Sequence, residues 1–346
     1  MKQFFNIILF FGLFNGIFFA QSLDLSRVSP KAKVIQQIGL SKIEINYSRP
    51  GVKGREIWGK LVPYNEGIPF PWRAGANENT TIEFSDDATI NGKEIKAGIY
   101  GFHIIPRNDF WTLIFNKQNK SWGSFFYDST FDALRIKVKP KENNFTEWLE
   151  YGFKDITPNS TSIYLKWEKL SIEFTVTFNE KEVILNNIRQ QLLSLPGFGW
   201  EGLMEAASFC LENNLNFEEA LKWIDLSISR KPSFRNKIIK VGLLEKLNKE
   251  VEAEKIKKNA FVNSTEEELN LFGYEMLNKN KINEALEIFK LNKERYPNSW
   301  NCFDSYADAL IKNDNKEEAI ANYKKALELA PEDQKERIRK TIEQVQ

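Results

Sequence analysis

Between Asn214 and Ile320 one short phrase recurs four times: "NLNFEEAL", "LNKEVEAE", "KNKINEAL" and "NDNKEEAI". Its alanines, Ala220, Ala253, Ala285 and Ala319, stand 33, 32 and 34 residues apart. Three prolines, Pro232, Pro297 and Pro331, keep the same phase. Around them Leu, Ala, Lys and Glu recur at a helical period. A fixed period of this length means a stack of helix pairs, because one pair cannot bury its apolar face alone while several stacked pairs can. In such a pair small residues let the helices approach, and the proline ends the second helix and sets the turn to the next pair.

This pattern resembles the tetratricopeptide repeat. The last copy resembles it most fully, with Ala307 in the first helix, Ala319, Tyr323 and Ala326 in the second, and Pro331 after it. The third has Gly273, Ala285, Phe289 and Pro297, and the first has Ser208, Ala220 and Pro232. The second is degenerate, keeping Gly242 and Ala253 without a proline. The closing "DQKERIRKTIEQVQ" reads as the polar helix that caps such an array. The resemblance implies a surface that holds a protein or peptide partner.

Residues 33 to about 178 have a different grammar. "KIEINY" places Ile43, Ile45 and Tyr47 on one face, and "TIEFS" does the same with Ile82 and Phe84. Asn91-Gly92 is the strongest two-residue hairpin signal, and Arg107–Asp109 separates two further apolar runs. In "TSIYLKWEKLSIEFTVTF" we expect two strands joined by a turn at Glu168-Lys169. Eight or nine short strands without an intervening helix predict an antiparallel sandwich. The expected architecture is therefore multidomain: an all-β antiparallel sandwich over 21–180, a linker helix over 181–200, and an all-α tetratricopeptide-repeat solenoid over 201–346.

The N-terminal twenty residues stand apart. Lys2 precedes an apolar run from Phe4 to Ala20, interrupted by Asn6 and Asn15. This is the composition of a secretory signal peptide, shorter and less apolar than the ~20-residue stretch a membrane span needs. With cleavage after Ala20, the mature chain is expected in the periplasm or outside the cell, without stable membrane insertion.

Composition removes several functions. Forty-eight Lys and Arg balance 47 Asp and Glu, so no basic field invites nucleic acid. One histidine, His103, and two distant cysteines, Cys210 and Cys302, do not compose a zinc or copper site. We expect buried free thiols, a satisfied imidazole and no cofactor. No nucleophile with a partner stands out, so no catalytic residue is assigned.

Two stretches carry the polar chemistry of the β half. "SRPGVKGREIWGKL" contains the spacing G-x-x-x-x-G-K at Gly54, Gly59 and Lys60. A phosphate loop would need a hydroxyl after the lysine and a helix opening there. Leu61 follows instead, and Pro63, Pro69 and Pro71 exclude the helix. What remains is a bent cationic loop with Arg49, Lys53 and Arg55, pinned by Trp58. The second stretch, "PFPWRAGANENTTIEF", sets Trp72, Arg73, Asn77 and Glu78 just before a strand, a composition suited to a polar ligand or to tying down a loop. A third, "SWGSFFYDS", adds Trp122, Gly123, Phe126, Tyr127 and Asp128. Together these stretches resemble the exported bacterial family DUF2911, of unknown function. Its signature residues here are Arg49, Gly51, Gly54, Arg55, Trp58, Trp72, Arg73, Gly75, Ala76, Asn77 and Glu78. One departure is the longer "NEGIPFP" before Trp72. The resemblance implies an exported β domain and supplies no activity.

The reading that follows is an exported binding or scaffold protein. The eight residues Arg49, Lys53, Arg55, Trp58, Trp72, Arg73, Asn77 and Glu78 are its candidate ligand contacts. The alternative is a hydrolase or carbohydrate-acting enzyme centred on Arg73, Asn77 and Glu78.

Overall fold

A computed structural model of the protein describes residues 26–345; the expected signal peptide lies outside them. The chain divides between Val183 and Ile184 into two compact units.

In the first unit, alternation along the strands decides the layers. In β2 (Ser41–Ser48) every second side chain is buried, so Ile43, Ile45 and Tyr47 line the core while Lys42, Glu44 and Asn46 face outward. Strand β1 (Lys31–Ile38) flanks it along its whole length. Then come β3 (Thr80–Phe84), β4 (Ala88–Ile90), β5 (Lys93–Ile95), β6 (Gly98–Ile105), β7 (Trp111–Asn116), β8 (Asp132–Val138), β9 (Lys141–Lys154) and β10 (Ser160–Phe178). They form a six-stranded sheet in the order β1-β2-β3-β6-β7-β8 and a four-stranded sheet in the order β5-β4-β10-β9, with antiparallel pairing throughout. One hydrophobic core joins them. Phe174 of the smaller sheet meets Phe102 and Phe115 of the larger, ring centroids 5.8 Å apart in both cases.

Asn91 and Gly92, both at positive φ, make the expected hairpin between β4 and β5. The turn expected at Glu168-Lys169 is not a turn. The chain runs straight through it as a single 19-residue strand. Glu168 takes φ +56° at a bulge where the register against β9 shifts twice. A bulge inserts one residue without reversing the chain, and local sequence does not separate it from a tight turn. Strand β1 carries no strand signal of its own. Its "KAKVIQQI" is half polar, and Ala32 and Val34 are only partly covered by the core.

The second unit is built from helices. After α1 (Glu180–Gln191) and the single turn α2 (Leu195–Phe198), four antiparallel pairs follow: α3 (Trp200–Asn213) with α4 (Phe217–Arg230), α5 (Phe234–Lys246) with α6 (Glu250–Val262), α7 (Glu266–Asn278) with α8 (Ile282–Arg295), and α9 (Trp300–Lys312) with α10 (Lys316–Leu329). Helix α11 (Glu332–Val345) buries Ile338 and Ile342 against the last pair and leaves its polar side outward, as a cap should. The four phased alanines are buried in the second helix of each pair. Each turn within a pair holds a left-handed residue, Asn214, Asn248, Asn280 or Asp314. These short polar residues tolerate that conformation best after glycine and end the first helix.

Candidate functional site

The cationic loop after β2 is held by the protein itself. Arg55 donates from Nε to the Val52 carbonyl at 3.1 Å and from Nη2 to the Gly51 carbonyl at 2.5 Å, so its guanidinium closes the loop. Arg49 donates from Nε to the Leu149 carbonyl at 2.9 Å and lies 3.8 Å from Glu150. The backbone amide of Lys53, at φ +49°, donates to Glu147 at 2.9 Å, and its ammonium stands 5.6 Å from the centre of the Trp148 ring. Two of the eight candidates are thus turned toward β9, and a third, Arg55, folds back on its own loop.

Trp58 and Trp72 do come together. They form a cluster with Trp111 of β7 and Trp167 of β10, at ring separations of 4.6 to 5.9 Å. Trp72 also donates its indole N–H to the Gly75 carbonyl at 3.2 Å. These rings join the loops to the core.

Asn77 and Glu78 strap down the segment that enters β1. Asn77 donates to the Ser29 carbonyl at 3.3 Å. Glu78 receives both its hydrogen bonds from Arg27, at 2.6 and 2.8 Å, with Lys31 at 3.5 Å. Burial pushes the Glu78 carboxyl up, but the Arg27 hydrogen bonds, its own backbone amide and the charges of Arg27 and Lys31 outweigh this and hold it below the usual range. Glu78 is therefore not the proton-holding carboxylate an acid catalyst would need.

Arg73 differs from the rest. Among the described residues it has no hydrogen-bond or ion-pair partner, and its Nε is fully buried. Burial pulls its pKa down. It lies against Gly123, where a Cβ would sit 3.3 Å from Cδ and from Nη1. Asn77 and Glu78 thus engage Ser29 and Arg27, Arg73 engages neither of them, and the three do not converge on one partner.

Sequence reasoning singled out His103 and missed its partner. Nδ1 lies 2.8 Å from the Ser124 hydroxyl, and both residues are buried. Burial drives the imidazole pKa down to about 4, against a smaller upward pull from Asp132. A base that weak is neutral at ordinary pH, and the pair holds the "SWGSFFYDS" loop to β6. Cys210 and Cys302 are buried thiols not joined in a disulfide. Among the described residues no group of three or more His, Cys, Asp and Glu is placed to hold a metal ion, and no helix is long and apolar enough to cross a membrane.

In the helical unit the degenerate second repeat has a structural counterpart. The backbones of α4 and α5, of α8 and α9 and of α10 and α11 pack closely, whereas those of α6 and α7 do not. Side chains bridge that junction: the rings of Phe234, Phe261 and Phe272 meet edge to face at 5.2 to 6.2 Å. A groove of about 490 Å³ lies along it, floored by Leu211, Ile238, Phe272, Met276 and Ile288. Its rim carries five glutamates and three lysines. Lys279 is engaged by Glu275 at 2.6 Å and Lys281 by Glu284 at 3.0 Å. Glu245 and Glu287 have no partner among the described residues, so the free charge is mainly acidic.

Residues 29–176 match the family model DUF2911, described as a protein of unknown function. No curated protein matches the chain. Among solved structures, a thermophilic TPR protein of Thermus thermophilus is 17% identical, with 48% of this chain and 90% of that chain covered and a TM-score of 0.27. YrrB, titled a TPR protein with an unusual peptide-binding site, is 20% identical over 44% of this chain and 80% of its own, with a TM-score of 0.25. Yeast Tom70 is 16% identical over 46% of this chain and 42% of its own, also at 0.25.

Proposed function

We propose that the protein is an exported scaffold whose helical array holds a peptide segment of a partner protein. The observation that carries this is the groove at the α6–α7 junction. It joins an apolar floor to a charged rim, and it sits where the repeat backbones part. Peptide-binding grooves of helical proteins take apolar anchors at their floor and set orientation and on-rate with rim charge. Five glutamates against three lysines on that rim favour a segment with apolar anchors flanked by lysine or arginine. The charged start and apolar run of residues 2–20 support export.

Selection from a random-peptide library on the full chain tests the binding. The expected pool is enriched in apolar residues flanked by cations, and its members lose affinity for a Glu245→Lys/Glu287→Lys chain that retains its helical circular dichroism. A pool without a shared pattern, or one bound equally by both chains, contradicts the reading. Export is tested separately by cell fractionation of the full-length chain, which should appear shortened and outside the cytoplasm.

A further inference from the structure

We propose that Arg73 and the aromatic loop beside it form a second site, in the β unit, for a carboxylate borne on a flat apolar body. Arg27 binds Glu78, Arg49 binds the Leu149 carbonyl, Arg55 the Gly51 and Val52 carbonyls, Arg107 pairs with Glu66, and Arg135 with Asp132. Arg73 alone among the described arginines of this unit has no such partner. A half-buried guanidinium loses hydration, and without a compensating hydrogen bond that loss is uncompensated free energy in the folded chain. Such a cost persists where a ligand repays it. The lowered pKa of the group has the same cause, burial.

The surroundings say what kind of ligand. Nε is sealed in protein, so the two Nη nitrogens are the donors left for it. Two N–H groups on one end of a guanidinium fork match the two oxygens of a carboxylate. No second cation pairs with Arg73, as the recognition of a phosphate dianion would favour. Gly123, at φ +62°, brings the loop onto the guanidinium where any side chain would meet it. From that loop Trp122, Phe125 and Phe126 stand 55%, 59% and 70% exposed. Rings left in water beside a charge that lacks its partner form the kind of surface that recognition uses. The longer "NEGIPFP" segment belongs to it, since its Phe70 ring packs edge to face on Phe125 at 5.0 Å. The rings supply flat apolar contact and Arg73 supplies orientation.

The test is a titration of the ¹⁵N-labelled full chain with benzoate, followed at the Trp122 indole N–H and the Gly123 amide. Benzamide, which has the ring without the charge, and acetate, which has the charge without the ring, are the controls. We expect saturable shifts with benzoate, none with benzamide at equal concentration, and binding of acetate at least about tenfold weaker. Arg73→Gln should weaken benzoate by about tenfold or more, the worth of a charge-assisted pair. Arg73→Lys should weaken it as well, because it keeps the charge and loses the fork. Stability supplies an independent readout: if Arg73 waits for a ligand, the Gln variant melts at the same temperature as the parent or higher. Equal shifts from benzamide, no saturation with benzoate, unchanged affinity in Arg73→Gln, or a lower melting temperature for that variant would each overturn the proposal.

Discussion

The two units hold themselves together in opposite ways. The β unit has one core shared by both sheets, while the helical unit has three, a long one running from α5 to α11 and two smaller ones around α3–α5 and α5–α6. In the first, partners lie far apart in sequence: Arg49 meets Leu149, and the Tyr151 hydroxyl donates to the Ala74 carbonyl at 2.7 Å. In the second, each pair meets its sequence neighbours. A polar residue in the β unit is therefore available to a ligand only if long-range packing has left it free, as with Arg73. In the helical unit, a groove opens where one repeat departs from the pattern, at the degenerate second pair.

This contrast can be broken by measurement. The largest effect is expected from Trp167→Ala. It empties a fully buried indole site against Trp58 and Trp72 and should cost about 3–5 kcal/mol. Calorimetry of the full chain should show the β transition falling as a whole while the helical transition stays. A loss confined to one hairpin would mean the core is not shared.

Next comes acid. His103 titrates near 6.5 unfolded and about 4 folded, so the unfolded chain binds its proton first. The stabilisation is complete above pH 6.5 and is lost as pH falls from 6.5 to 4, to about 3 kcal/mol in all. Denaturant unfolding across that window should show the slope in the β unit, and His103→Gln should flatten it. An unchanged slope would show that the imidazole is not buried neutral. Glu44 acts almost entirely below this window. Its carboxyl is held at about 2, first by the Lys33 hydrogen bond and then by Asn46, so its contribution is lost only as pH falls from 4.5 toward 2.

Gly273→Ala would place a Cβ 2.5 Å from the Phe289 ring and should cost about 1–3 kcal/mol. Hydrogen exchange should loosen in the third pair and its neighbours and leave the β unit unaltered. The smallest effect is Asn280→Ala, which forces alanine to φ +58° at a cost of about 1 kcal/mol. A loss spread over all four pairs in either variant would deny the modular half of the comparison.

The sequence made the helical half readable because its constraints are local and periodic. Ala220, Ala253, Ala285 and Ala319 mark one buried position four times, and Asn214, Asn248, Asn280 and Asp314 mark one turn. The β half was readable as strands and as a sandwich, since Ile43, Ile45 and Tyr47 alternate within a few residues. Its pairing was less so. The bulge at Glu168 looks like a turn until β9 lies beside it, and β1 gains its place only from β2. The candidate site divided for the same reason. Arg49 and Lys53 stand close to Arg73 in sequence, yet their partners, Leu149, Glu150 and Glu147, lie about a hundred residues away, while Arg55 turns back on Gly51 and Val52. No spacing rule announces those pairs. That Arg73 lacks a partner stands out only once each of the other described arginines of the β unit has been given its own.

The central claim is that each unit carries its own ligand. A crossed titration addresses it: benzoate and one peptide from the library selection, each against the parent chain, Arg73→Gln, and Glu245→Lys/Glu287→Lys. Arg73→Gln is expected to lose benzoate and keep the peptide, while the double variant loses the peptide and keeps benzoate. Both variants losing the same ligand, or neither losing any, would contradict it.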